Sequence, residues 1–134
     1  MLRKTLDFLR ECHVFYVATM DGDQPRVRPF GVVVEHDNRL YFATANTKLL
    51  YRQIQVNPRI EICGAKPNGT EWIRVTAKAV FEPNPEAKKK AFESAPELAA
   101  IYQTPENEIF EVFYLANAEV VFFSMTAPAE SGRF

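Results

Sequence analysis

Residues 71–81 alternate between apolar and mostly polar side chains, and this pattern constrains the fold more than any other stretch of the sequence. One face would carry Ile73, Val75, Ala77, Ala79 and Phe81, and the other Trp72, Arg74, Thr76 and Lys78. Because successive side chains of a β-strand point to opposite faces, the pattern predicts a long strand with one face in the core. Such a strand needs hydrogen-bonded neighbours, so we expect a domain built on a sheet.

Several other runs rich in β-branched and aromatic residues predict further strands. They cover residues 14–20, 26–35, 39–44, 59–64, 109–115 and 118–125. The first three are predicted to form an antiparallel meander. The last two are predicted to form a terminal hairpin with its turn at Ala116-Asn117, and the tail over residues 126–134 is expected to be frayed.

Helical spacing of apolar residues and capping signals predict short helices around this sheet. They cover residues 2–12 and 47–56, a segment opened by Pro83-Asn84-Pro85-Glu86, and a shorter one from Ala95-Pro96 to about Tyr102. The chain therefore reads as a single mainly β (α+β) domain over residues 1–134, an antiparallel barrel of six to seven strands with short flanking helices. The pattern alone does not separate this barrel from other small barrels.

Composition and charge exclude several classes of function. The net charge of −1 argues against nucleic acid as a partner, because binding the phosphate backbone needs a basic surface. No apolar run reaches the length of about 20 residues that spans a bilayer, so no membrane partner is expected. The N-terminus lacks the apolar core of a secretory signal, and Cys12 and Cys63 form no disulfide framework. These features predict a cytoplasmic protein with reduced thiols.

The stretch from Arg28 to Arg59 carries the strongest sign of a ligand. Asn46 or Thr47 is a good N-cap, which puts Lys48 in the first helical turn, where the helix dipole disfavours a cation. A bound anion such as phosphate would offset this, and Arg28 on a preceding strand is expected to reach the same point. The alternative is that Lys48 simply points to water. Pro29 cannot donate to a strand ladder, so it indicates an edge, an opening or, as we favour, a bulge beside a ligand.

Other kinds of site find little support in the sequence. His13 and His36 are not part of a Cys/His cluster at ligand spacing, so no metal site is expected. The neighbours Cys12 and His13 do not form a nucleophile–base pair, and no catalytic residue can be assigned. There is also no Walker motif and no dinucleotide-type glycine fingerprint.

Five motifs follow one another along the chain: Gly-x-x-Pro-x-Val-Arg-Pro-Phe (residues 22–30), Leu-Tyr-Phe-Ala-Thr (residues 40–44), Lys48, Asn57-Pro58-Arg59, and Trp-Ile-Arg-Val (residues 72–75). In this order and spacing they make the chain resemble the pyridoxamine 5′-phosphate oxidase-like, FMN-binding split-barrel family. The resemblance extends over about residues 6–123. It implies a split barrel, FMN as cofactor, and a homodimer in which each flavin touches both chains.

The resemblance also implies roles for individual residues. Arg28 matches the arginine near the FMN phosphate, Pro29 and Phe30 match positions whose backbone lies along the isoalloxazine, and Thr44 matches a threonine that ends the third strand. Trp72 stands where the oxidases have a glutamine over the flavin, contributed across the dimer, and Arg74 is a second phosphate or ribityl contact. Lys48 is assigned to the phosphate by local chemistry instead.

The chain departs from the family pattern at three points. Leu49-Leu50 replaces the Arg-Lys pair of the oxidases, and Ala77 replaces a common glycine, which is expected to tighten the pocket. The C-terminus lacks the Arg-Leu-x-Pro ending that grips the vitamin phosphate, and this argues against oxidation of vitamin B6.

The resemblance therefore implies an FMN-binding oxidoreductase acting on a small molecule, such as a flavin or nitro-compound reductase that uses NAD(P)H. The alternatives are a non-catalytic flavin-binding redox sensor or carrier and, disfavoured by the lack of a suitable histidine, a haem-binding protein.

Overall fold

The computed structural model describes all 134 residues, which form eight strands and four helices. The strands are β1 (Phe15–Asp21), β2 (Gln24–Phe30), β3 (Val33–His36), β4 (Arg39–Ala45), β5 (Arg59–Ala65), β6 (Glu71–Phe81), β7 (Phe110–Ser124) and β8 (Glu130–Arg133). The helices are α1 (Leu2–Cys12), α2 (Leu49–Val56), α3 (Pro85–Ser94) and α4 (Glu97–Tyr102). No helix is long and apolar enough to cross a membrane.

All strand pairs are antiparallel, in the order β2-β1-β5-β6-β7-β4-β3, and β8 pairs with β7. The prediction of a mainly β, antiparallel split barrel with short flanking helices is confirmed, with eight strands in place of six or seven. The alternating pattern of residues 71–81 forms β6 at the centre of the sheet, where its apolar side chains Ile73 and Val75 are fully buried.

The strand predicted over residues 26–35 is divided in two after Phe30. Strand β2 pairs with β1 at one end of the sheet and β3 pairs with β4 at the other, so the predicted three-strand meander is wrong. Only Gly31 and Val32 join β2 to β3, and a link this short spans about 10 Å at most, so the two ends of the strand order lie close together in space. A continuous run of β-forming residues gives no signal of such a crossing.

Pro29 lies on an edge strand and not in a bulge. Its pairing with Tyr16 belongs to an unbroken register from Phe15↔Phe30 to Asp21↔Gln24, so the favoured bulge is wrong and the edge alternative holds. An edge strand tolerates proline because one side of the strand has no ladder to support.

The predicted terminal hairpin is also wrong, because β7 is a single strand of 15 residues. Asn117 adopts a positive φ of 53°, and the pairing register with β6 shifts between Thr76 and Lys78. The turn signal at Ala116-Asn117 therefore marks a bulge, which bends a strand without reversing it.

The tail is not frayed over its whole length. Strand β8 pairs with residues 119–122 of β7, and the backbone of Phe134 exchanges hydrogen bonds of 3.0 Å with Ala118 in both directions. A run such as Glu-Ser-Gly-Arg has low intrinsic strand propensity, so the open edge of β7 supplies the order.

The core is divided into two clusters on the two faces of the sheet. The larger lies inside the barrel and includes Phe15, Phe42 and Phe113. The smaller, here called the outer cluster, is built from Val34, Tyr41, Ala45, Ala87, Ala91, Ala95, Leu98, Tyr102, Phe110 and Val112. Helices α3 and α4 thus cover the outer face of β3, β4 and β7.

Candidate functional site

A cleft of about 170 Å³ opens where β2 ends and the chain crosses to β3. One wall is the segment from Pro29 to Val32, and Ala43 of β4 lies with it. The opposite wall comes from α4. Lys48, immediately before α2, supplies the only ionisable cation of the lining, and no carboxylate lines the cleft. The full lining is Pro29, Phe30, Gly31, Val32, Ala43, Lys48, Leu98, Ile101 and Tyr102.

The ring of Phe30 anchors the first wall in the barrel core. Its centroid lies 6.1 Å from that of Phe113 in an edge-to-face arrangement and 6.4 Å from that of Phe15. Because this ring is held inside, the chain around Phe30 is fixed at the cleft. Three of the seven residues assigned to FMN from the sequence therefore line the same cleft: Pro29, Phe30 and Lys48.

Lys48 is the N-cap of α2 and does not lie in its first turn. Its backbone is extended, with φ −84° and ψ 150°, and no side chain caps the helix. Neither of the predicted caps is in place. The Asn46 amide instead donates to the Glu108 carbonyl at 2.8 Å and to the Glu111 carboxylate at 3.1 Å. The α2 N-terminus therefore has a lysine but no acidic side chain in its first turn, which is favourable for an anion.

The Thr44 hydroxyl is a buried polar group without a partner. Thr44 is 2% exposed, and its Oγ1 atom makes no hydrogen bond. It follows Ala43 of the cleft wall, and the carbonyl of the next residue, Ala45, accepts a hydrogen bond of 3.1 Å from the Lys48 backbone. An unsatisfied buried hydroxyl costs about 1–3 kcal/mol. Because adjacent side chains of a strand point to opposite faces, the Thr44 side chain lies on the face of β4 opposite Ala43, and Thr44 does not line the cleft.

Arg28 does not line the cleft. Its guanidinium donates through Nη1 to the Thr19 hydroxyl at 2.8 Å and through Nη2 to the Gln53 side-chain oxygen at 2.9 Å. The Thr19 hydroxyl in turn donates to the same Gln53 oxygen at 2.6 Å. Burial lowers the pKa of Arg28. The guanidinium therefore ties β2 to β1 and α2, and Arg28 is not part of the cleft that Lys48 lines.

Trp72 and Arg74 lie together on the other, outward face of β6, away from the cleft of their own chain. The Trp72 ring stacks on Phe123 with centroids 3.8 Å apart and planes within 10°. The Arg74 guanidinium lies 5.4 Å from the Trp72 centroid and 5.3 Å from that of Phe123, and its Nε is 3.7 Å from a Glu61 carboxylate oxygen.

Cross-strand pairs connect this outward face to the cleft. Pro29 pairs with Tyr16, Tyr16 with Cys63, and Cys63 with Arg74, and directly paired residues project from the same face. Tyr16 on this face is 49% exposed and Val27, two residues before Pro29, is 67% exposed. Pro29 is thus shared between the cleft and an exposed sheet face that carries both apolar and charged side chains.

The contribution of α4 to the cleft could not be found from the sequence. The helix itself is predicted correctly: Pro96 and Glu97 mark its start, and it ends at Tyr102 as expected. Nothing in its spacing shows that Leu98, Ile101 and Tyr102 face the distant link between β2 and β3. That proximity depends on α3 packing against the outer face of β3 and β4.

The sequence matches the pyridoxamine 5′-phosphate oxidase family over residues 1–123. The chain belongs to this family. No match to a curated protein was found. Among solved structures, a NimC/NimA family protein from Clostridium acetobutylicum is 39% identical, with a TM-score of 0.93 over 99% of this chain and 92% of that one.

Two more distant structures share the fold, and their names point to different cofactors. An FMN-binding protein related to pyridoxamine 5′-phosphate oxidase, from Nostoc punctiforme, is 17% identical with a TM-score of 0.60, over 99% of this chain and 91% of that one. A heme-binding protein from Mycobacterium smegmatis is 15% identical with a TM-score of 0.71, over 93% of this chain and 57% of that one.

The donor set of the cleft fits FMN. A flavin nucleotide combines a flat ring, which needs apolar walls, with a phosphate, which needs a cation or backbone N–H groups. The cleft offers apolar walls and Lys48 at a helix N-terminus. It offers no histidine as an axial ligand for haem iron.

Proposed function

We propose that the protein is a cytoplasmic FMN-dependent oxidoreductase that acts as a homodimer on a small molecule. The observation that carries the proposal is the convergence of Pro29, Phe30 and Lys48 on one cleft in a chain of the pyridoxamine 5′-phosphate oxidase family.

In this proposal Lys48 and the N-terminus of α2 hold the phosphate of FMN. The segment from Pro29 to Val32 and the apolar side chains of α4 exclude water from the two faces of the flavin ring. The ring supplies the electron transfer. Of Arg28 and Lys48, which the sequence assigns to the same end of the phosphate site, Lys48 is retained, and Arg28 acts by holding β2 in place.

The exposed sheet face supports a dimer whose interface adjoins the flavin. Tyr16 and Val27 are large apolar residues exposed on this face, and exposed apolar surface next to polar residues is typical of protein–protein contacts. Pro29 belongs both to this face and to the cleft, so a partner covering the face would also border the cleft. The partner subunit's Trp72 and the partner subunit's Arg74 would then be the groups that reach the flavin.

For the substrate we propose a flavin or a nitro compound, with NAD(P)H as electron donor. Such reductions need few protein acid–base groups, because the flavin carries the electrons. A non-catalytic flavin-binding sensor or carrier is the second candidate. It is favoured by the absence of carboxylate, histidine and cysteine from the cleft lining.

The absorption spectrum of the purified protein tests cofactor binding. We expect a flavin spectrum, as purified or after incubation with FMN, with about one FMN per chain. Oxidation of NADH or NADPH with nitroaromatic or free flavin acceptors then separates the enzyme from the carrier. A protein that stays colourless in excess FMN, or that shows the spectrum of bound haem, would contradict the proposal.

A further inference from the structure

Tyr102 is the one polar side chain of α4 that lines the cleft, and its hydroxyl has no partner in the chain. The residue is 8% exposed, and its ring packs on Phe110 with centroids 4.9 Å apart. The hydroxyl makes no hydrogen bond within the chain. Burial alone raises the pKa of the phenol, with no hydrogen bond or charge contributing. Tyr102 therefore remains a neutral hydrogen-bond donor at ordinary pH.

The backbone around Tyr102 is fixed by three hydrogen bonds. Its carbonyl accepts from the Asn107 side-chain amide at 2.8 Å and from the Thr104 backbone at 2.8 Å. The Gln103 backbone N–H, at a positive φ of 69°, donates to the Ala99 carbonyl and closes the helix. The phenol is therefore held at a fixed helix end, and a residue that positions a ligand needs such a fixed backbone.

A flat ligand that fills the cleft displaces water from this hydroxyl. A buried phenol left without a partner is unfavourable, so the ligand must present an acceptor to it. The opposite wall, from Pro29 to Val32, contributes only apolar side chains. Lys48 is the other polar side chain of the lining; its ammonium group only donates, whereas the Tyr102 hydroxyl can donate or accept.

We propose that the Tyr102 hydroxyl donates a hydrogen bond to an acceptor atom of the flavin ring, while Lys48 holds the phosphate. This inference rests on the proposed FMN binding and adds a role for α4 that the sequence did not indicate. A donor at the acceptor edge of the ring stabilises the electron density added on reduction. Tyr102 therefore raises the reduction potential of the bound flavin as well as its affinity.

Titration of FMN and riboflavin into wild-type protein, Tyr102→Phe and Lys48→Ala tests this assignment. Phenylalanine keeps the packing on Phe110 and removes the hydroxyl alone. One neutral hydrogen bond contributes about 0.5–1.5 kcal/mol, so Tyr102→Phe should weaken FMN binding by about twofold to tenfold. Riboflavin should weaken by the same factor, because the bond is to the ring, whereas Lys48→Ala should weaken FMN alone.

The reduction potential and the absorption spectrum of the bound flavin supply readouts that a structural role would not move. We expect a more negative potential and a shifted absorption maximum in Tyr102→Phe. The matched control is Tyr114→Phe, which also removes one hydroxyl from a tyrosine. Tyr114 packs on the same outer cluster, with its ring centroid 5.6 Å from that of Tyr41, but it does not line the cleft. Thermal melting of the apo forms of wild type, Tyr102→Phe, Lys48→Ala and Tyr114→Phe shows whether folding has changed.

The failures of the inference and of the proposed function are distinguishable. If Tyr102→Phe binds both flavins with wild-type affinity, spectrum and potential, the Tyr102 bond is refuted and FMN binding stands. If Tyr102→Phe loses FMN but keeps riboflavin, the hydroxyl does not bind the ring. If wild-type protein binds neither flavin, both proposals are wrong.

Discussion

The two cations that the sequence assigns to one phosphate have different environments in the structure. Arg28 is engaged by Thr19 and Gln53, while Lys48 is exposed at the N-terminus of α2 and lines the cleft. Residue types and spacing predicted a cationic site in this stretch. They could not show that Gln53, one turn into α2, would accept from the arginine first. The two roles can be distinguished by experiment. Loss of a phosphate ligand weakens the binding of FMN but not of riboflavin, whereas loss of a residue that holds β2 in place affects both flavins alike.

Lys48→Ala is expected to weaken FMN binding and leave riboflavin binding unchanged. A charge-assisted hydrogen bond contributes about 1.5–3 kcal/mol, so the loss for FMN should be roughly tenfold to a hundredfold. The apo variant should melt no lower than apo wild type, since a cation at a helix N-terminus is unfavourable. Fluorescence titration measures the affinities, with the exposed Lys89→Ala on α3 as control. Equal losses for both flavins would remove Lys48 from the phosphate site.

Arg28→Ala is expected to destabilise the fold and to affect FMN and riboflavin alike. The substitution removes the charge-assisted hydrogen bonds to Thr19 and Gln53, which then pair only with each other, and one such bond contributes about 1.5–3 kcal/mol. Urea unfolding measures this loss. The control is Arg26→Ala, two residues earlier on β2, whose ion pair with Asp21 is about half exposed and should contribute little. Selective loss of FMN with unchanged stability would restore Arg28 as a phosphate ligand.

Strands with one buried face were predictable, and those governed by long-range pairing were not. The alternation of residues 71–81 fixes β6, because period-two burial has one simple solution. The division after Phe30 and the continuity of β7 depend on which distant strand is available for pairing. Local signals at Ala116-Asn117 are the same for a hairpin turn and for a bulge, so the sequence could not decide between them.

Asn117→Val is expected to destabilise the protein more than Asn117→Gly. Asn117 is exposed and has φ 53°, a conformation that costs a β-branched residue about 1–2 kcal/mol and costs glycine nothing. Valine is a strong strand former, so Thr76→Val on the exposed face of β6 controls for propensity and should be near neutral. Urea denaturation midpoints give the comparison, and a stabilising Asn117→Val would refute the bulge.

The cleft belongs to the whole molecule, because its walls come from parts of the chain that are distant in sequence. The link after β2 meets α4 only because α3 packs on the outer cluster, and the outward sheet face reaches the cleft through Pro29. No local pattern encodes such proximity. The family resemblance placed Pro29 and Phe30 at the flavin site, but it gave no role to Tyr102.

Val27→Asp is expected to convert a dimer into a monomer and to weaken flavin binding at the same time. Val27 lies on the exposed sheet face, two residues from Pro29, and is 67% exposed. A carboxylate at this position should therefore change the folding stability of a monomer very little. Within an interface the same charge would be buried without a partner, which is strongly unfavourable. The matched control is Val56→Asp on α2, where the valine is 86% exposed and off the sheet face. Light scattering with and without FMN gives the mass of each protein. A wild-type monomer that binds FMN, or a Val27→Asp dimer with unchanged affinity, would show that the flavin site is complete within one chain.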